Sequence, residues 1–140
     1  MKKCRLFFIL LAMGLSVVSC GSDDSDSENV GNPSGDLIIG NWSYIGDIDE
    51  DGYEASEHEP CDDEFLKFNS DGTAVTTLNY CGEETEIING SWQKAPEADK
   101  YIFIDGTATA AAKVVFSQNN SRMTIYGYED QFYGIVYQRQ

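Results

Sequence analysis

From Leu37 to the C-terminus the chain is a series of short apolar runs, each closed by a turn sequence, at intervals of about eight to twelve residues. Leu37–Ile45 has the pattern of a first strand. Phe65–Phe68 and Val75–Tyr80 lie either side of Asn69-Ser70-Asp71-Gly72-Thr73, a turn with Gly placed for a left-handed residue. Thr85–Gln93 alternates, with Ile88, Gly90 and Trp92 on one face and Ile87, Asn89 and Ser91 on the other. Tyr101–Ile104, Ala112–Phe116, Met123–Tyr128 and Phe132–Tyr137 complete the set, and the stretch from Asp47 to Glu64 is expected to be a long acidic connection. Ala108–Ala112 has a helical composition, but Thr107, Thr109 and the following Val-Val-Phe favour entry into a strand. Eight short strands without a helix are the signature of a meander barrel or a sandwich, and the expectation is an all-β domain, a small eight-stranded antiparallel up-and-down meander barrel. Sequential neighbours pair in a meander, and closure removes the exposed edges.

The cysteines sharpen one part of this pattern. Asp71 stands ten positions from both Cys61 and Cys81. If the flanking runs pair about Asp71, the two cysteines face each other across an antiparallel hairpin, where opposed Cα atoms are about 4.5–5.5 Å apart. A disulfide, a metal pair and free thiols are the alternatives. Two cysteines and the single histidine, His58, do not complete a zinc site, and an exported chain meets oxidising conditions. The expectation is therefore a Cys61–Cys81 disulfide.

Asp47-Ile-Asp49-Glu-Asp51-Gly52 has alternate carboxylates and a Gly at the sixth position, like the start of a calcium loop. The twelfth position is His58, between Glu57 and Glu59, and the flanks have β character. Asp47, Asp49 and Asp51 are thus a weak metal candidate, and an acidic solvated loop is the simpler reading. No nucleophile motif and no Gly-rich phosphate loop is present, so the chain is expected not to be an enzyme and to need no cofactor.

The N-terminus adds an address. Lys2, Lys3 and Arg5 precede an apolar run, Leu6–Val18, too short for a comfortable membrane span. Val17-Val18-Ser19-Cys20 then resembles the lipobox of bacterial lipoproteins. The resemblance implies a signal peptide over residues 1–19 and a palmitate-bearing lipid on Cys20, the new N-terminus. Residues 20–36 have almost no apolar side chain and read as an acidic flexible tether to a domain over residues 37–140. Ser22-Asp23-Asp24 resembles the acidic surface-export signal of Bacteroidetes lipoproteins. An outer-membrane lipoprotein exposed at the cell surface is the implied location. Without residues 1–19 the chain keeps six Lys and Arg against all 24 acids, a net charge of −18 with His58 neutral. That net charge argues against nucleic acid as a partner and against adsorption of the chain as a whole to anionic membrane surfaces. The expected partners are the membrane, through the lipid, and a small ligand; the domain is expected to be a monomer.

Gly40-Asn41-Trp42 matches the Gly-x-Trp of lipocalins. Taken with Cys61, Phe68-Asn69-Ser70-Asp71-Gly72-Thr73, Cys81 and Gly90-Ser91-Trp92 in that order, the chain from Leu37 onward resembles the compact lipocalin-like domains of Bacteroidetes lipoproteins. The resemblance implies a binding module for a small apolar or amphipathic ligand, with Trp42, Phe103, Tyr126 and Phe132 as candidate lining residues. It also implies an arginine over the first Trp, for which Arg139 and Arg122 are both candidates. The domain is shorter than a true lipocalin and lacks the C-terminal helix. A filled barrel serving a structural or protein-interaction role is the alternative.

Overall fold

The computed structural model describes residues 35–57, 59, 61–127 and 132–140. The signal peptide, Cys20, the tether to residue 34, His58 and the Glu129-Asp130 turn lie outside the described residues. Nine strands follow in order: β1 (Gly40–Asp49), β2 (Gly52–Ala55), β3 (Asp63–Phe68), β4 (Thr73–Asn79), β5 (Glu86–Lys94), β6 (Lys100–Asp105), β7 (Ala108–Ser117), β8 (Arg122–Gly127) and β9 (Gly134–Arg139). All pairings are antiparallel, from β1–β3 through β8–β9, and β9 returns to β1 from Trp42↔Arg139 to Ile48↔Gly134. The result is a closed eight-stranded meander barrel with β2 as an extra strand.

The eight expected strands are all present, with two differences at the start of the chain. Leu37–Ile39 is a turn, not strand. The Asp36 carboxylate accepts the Ile38 N–H at 3.0 Å and the Asp36 carbonyl accepts the Ile39 N–H at 3.2 Å, so local side-chain bonding competes with the ladder. This turn drives Ile38 into the end of the barrel, fully buried. The acidic connection, in turn, is not all loop. β1 runs on to Asp49 and folds back as β2 through a two-residue turn, with Asp49↔Gly52 and Gly46↔Ala55 paired. Strand pairing of Asp47 and Asp49 was missed because acids disfavour strands by propensity, and here the neighbouring backbone overrides it.

The β3–β4 hairpin has the register set by Asp71. Its pairs run from Asp63↔Asn79 to Phe68↔Ala74. Extended beyond the strands, the same register opposes Cys61 and Cys81, whose disulfide joins Cα atoms 5.0 Å apart. Gly72 takes φ 86°, a conformation costly for any residue with a Cβ. The Asp71 carboxylate accepts both the Thr73 hydroxyl at 2.7 Å and the Thr73 N–H at 2.9 Å, and these bonds lower its pKa.

Alternate side chains point inward. Trp42, Phe68, Trp92, Tyr101 and Met123 fill the end where β1 begins, each at most 4% exposed. Phe68 stacks edge-on to Trp92 at 6.1 Å and tilted on Phe103 at 5.7 Å. Both tryptophans satisfy their indole N–H on main-chain carbonyls, Trp42 on Ile38 at 2.8 Å and Trp92 on Asn69 at 2.9 Å. That removes the main cost of burying them.

Candidate functional site

The barrel has a closed base, where β1 begins and the chain enters, and a mouth at the opposite end. Arg139 locks the base. Its guanidinium lies 4.2 Å from the Trp42 ring centroid and donates to the carbonyls of Ile39 at 2.9 Å, Leu37 at 2.5 Å and Asn120 at 3.2 Å. Of the two candidate arginines it is therefore Arg139 that covers the first Trp. Arg122 stacks instead on Tyr53 of β2, 5.1 Å away.

A polar knot completes the base. Asp36, with its side chain 1% exposed, accepts from Tyr101 Oη at 2.7 Å and from Lys94 Nζ at 2.9 Å, besides Ile38 N–H. Burial alone would raise the Asp36 pKa; the Ile38 amide, the Tyr101 hydroxyl and Lys94 outweigh it and hold the carboxyl below its ordinary value. Tyr101 is pushed up, first by burial and then by the same carboxylate. Beside this knot lies an open depression of about 390 Å³, lined by Leu37, Lys94, Tyr101, Val115, Phe116 and Asn120 among others.

Toward the mouth the interior changes character. A bulge between Tyr44 and Gly46 shifts the β1–β9 register, so Tyr44 opposes Tyr137 while Asp47 opposes Ile135. Trp42 and Tyr44 face inward before the bulge, and Asp47 faces inward after it. Gly46 takes φ 153°, and a side chain there would run into the main chain of Glu54 and Ala55 in the paired β2. Asp47 accepts the Tyr44 hydroxyl at 3.0 Å. Glu64, inward-facing on β3, accepts the Tyr137 hydroxyl at 2.6 Å. Tyr137 is fully buried and packs edge-on against Tyr44. Its pKa is raised well above the ordinary value by burial first, then by the Glu64 charge. Beside these pairs the inward Leu78, Ile88, Phe103 and Ala110 are only partly buried. The mouth half of the shaft is thus lined by partly buried apolar side chains and by tyrosine–carboxylate pairs.

The four candidate lining residues do not share one wall. Trp42 is sealed in the base at 0% exposure, and Phe103 lies inside against Phe68. Tyr126 is on the outer face, its ring over Gly134, and Phe132 is 69% exposed at the mouth. None of them lines the basal depression. Alternation alone could not find the inner faces of β8 and β9, because Thr124 and Val136 on their outer sides are buried too. Tyr44, Glu64, Tyr137 and Asp36 were not singled out by sequence: Glu64 meets Tyr137, and Asp36 meets Tyr101, from far away in the chain, and Tyr44 meets Asp47 across the bulge.

The acidic motif is spread along a hairpin. Asp49 accepts the Asp51 N–H at 2.9 Å, which forms the turn, and Asp47 points into the barrel. Among the described residues the one group of three side chains close enough to share a metal is Glu59 with Cys61 and Cys81, and both sulfurs are committed to the disulfide.

The class that fold and interior define is a closed eight-stranded up-and-down β-barrel with an aromatic-packed base. No family model matches the chain, and no curated protein matches it.

Proposed function

We propose that this protein is a lipoprotein, anchored through a lipid on Cys20, whose lipocalin-like barrel binds a small apolar or amphipathic ligand from the mouth end. The observation that carries the reading is the contrast along the shaft. The base is packed with aromatic side chains, whereas Leu78, Ile88, Phe103 and Ala110 face inward without being sealed. Apolar walls with a few fixed polar groups suit a small-molecule site, and the hydroxyls and carboxylates of Tyr44, Asp47, Tyr137 and Glu64 supply those groups. The lipobox and the acidic export-like segment support an outer-membrane, cell-surface location. A second reading, a filled barrel that serves protein interaction, draws on the aromatic packing of the base and on the dispersed positions of the four aromatic candidates.

Native mass spectrometry of protein purified from its own cell envelope separates the two. A small molecule that co-purifies and is lost on Phe103→Ala supports the binding module; ligand-free protein in every preparation sinks it. Anchoring is tested by Cys20→Ala, which should release the protein from the membrane fraction.

A further inference from the structure

The charges of the barrel are segregated along its axis. All six Lys and Arg among the described residues, Lys67, Lys94, Lys100, Lys113, Arg122 and Arg139, lie in the basal half. Lys113 belongs there because its ammonium is 3.8 Å from Asp99 of the basal β5–β6 turn. Of the 18 described acids, four (Asp36, Asp71, Glu97 and Asp99) share that half. The other 14 occupy the β1–β2 hairpin, the approach to β3, the β4–β5 connection and the end of β6, all toward the mouth. Among the described residues the base therefore carries a net charge of +2 and the mouth end −14. The chain also enters at the base, through Gly35 and Asp36. On the same face Leu37 and Val115, 44% and 38% exposed, flank the depression beside Lys94.

We propose that the base is a membrane-apposed surface whose partner is an anionic lipid headgroup layer, so that the mouth points away from the bilayer. The proposal rests on the anchored reading above in taking residue 20 as the point of attachment. A tether of this composition and length spans roughly 20–25 Å, enough to let either end of the barrel reach the surface. Attachment at the base favours one orientation, and charge enforces it. The ten residues of β1, tilted as in a barrel of this size, set the two ends about 25 Å apart. That exceeds two Debye lengths at about 0.1 M salt. Base down, the mouth carboxylates are screened from the lipid charge; mouth down, they meet it directly. The base cations gain from the same field, and Leu37 and Val115 meet the headgroup region with apolar side chains.

The test uses the chain from residue 21 onward, held to vesicles by an N-terminal histidine tag in place of Cys20 and its lipid, so that its outcome does not depend on acylation and no other free thiol takes the label. One fluorophore is placed at Ser117→Cys in the base and, in a second preparation, at Thr107→Cys at the mouth. The vesicles contain phosphatidylcholine with or without phosphatidylglycerol, and a headgroup spin label serves as quencher. On anionic vesicles at low salt the Ser117 label should be quenched at least about threefold more than the Thr107 label, and high salt or neutral lipid should shrink that ratio toward one. Lys67→Glu with Lys100→Glu should shrink it as well, with an unchanged melting temperature confirming the fold. Equal quenching of the two labels on anionic vesicles overturns the proposal, as does a ratio indifferent to lipid charge. The acylation state of native protein, read separately by mass, decides the anchored reading without touching this result.

Discussion

Asp36→Ala probes the knot that ties the incoming chain to the barrel wall. The wild-type carboxylate is almost fully buried and accepts three hydrogen bonds, from Ile38 N–H, Tyr101 Oη and Lys94 Nζ. Truncation strands two of these donors. Ile38 and Tyr101 are 0% and 1% exposed, so an orphaned amide and hydroxyl each cost about 1–3 kcal/mol. Lys94, with its side chain 32% exposed, can turn to water at little cost. Release of the carboxylate's own desolvation offsets part of the loss. The expected destabilisation is about 3 kcal/mol, near the lower end found on breaking buried pairs. Urea unfolding followed by tryptophan fluorescence measures it, because Trp42 and Trp92 both sit in the base. Tyr101→Phe removes one of the stranded donors, so the double variant should cost less than the two single variants added together, by about 1–2 kcal/mol. The pH dependence supplies an independent check. The Asp36 pKa is lowered in the folded state, so its contribution is present above the unfolded carboxyl value, about 3.9, and is lost as pH falls through the folded value. Wild type should lose stability faster than Asp36→Ala below about pH 4. A cost under about 1 kcal/mol, or parallel acid profiles for the two proteins, would refute the reasoning.

Replacing both Cys61 and Cys81 by Ser should lower stability by about 3 kcal/mol on the chain-entropy model for a sequence separation of 20, with the circular dichroism spectrum unchanged, since both cysteines are exposed and leave no cavity. Tyr101 and Tyr137 both have raised pKa values, so their contribution to stability should be constant below about pH 10 and be lost above it; absorbance at alkaline pH should show these two of the eight tyrosines ionising only as the protein unfolds. Gly46→Ala should cost more than about 2 kcal/mol, because the residue is placed at an unfavourable φ beneath the main chain of β2; a melting temperature equal to wild type would contradict the bulge geometry. Millimolar calcium should leave the melting temperature unchanged in wild type and in Asp49→Asn, since Asp49 serves the hairpin turn; a rise specific to wild type would reinstate the cation loop.

What the sequence determined by itself was local. The β-branched and aromatic runs located all eight barrel strands, because alternation and turn chemistry act over a few residues. The spacing of Cys61 and Cys81 about Asp71 set the β3–β4 register and the disulfide for the same reason: one turn fixes which residues oppose. Gly40-Asn41-Trp42 pointed to a tryptophan covered by an arginine, but the choice of Arg139 over Arg122 needed the closure of β9 on β1. Closure is also what brings Asp36 to Tyr101, 65 positions away, and Glu64 to Tyr137, 73 positions away. No local pattern encodes such pairs, since each residue is ordinary in its own strand. The bulge at Gly46 inverts the facing of every later residue in β1, so a carboxylate that reads as solvated, Asp47, ends inside the barrel. The outer face of β8 and β9 is also buried, at Thr124 and Val136, and there alternation loses its meaning: Tyr126, taken for a lining residue, packs on the outside over Gly134. Which face is interior is a property of the closed sheet, fixed only when the last strand pairs with the first.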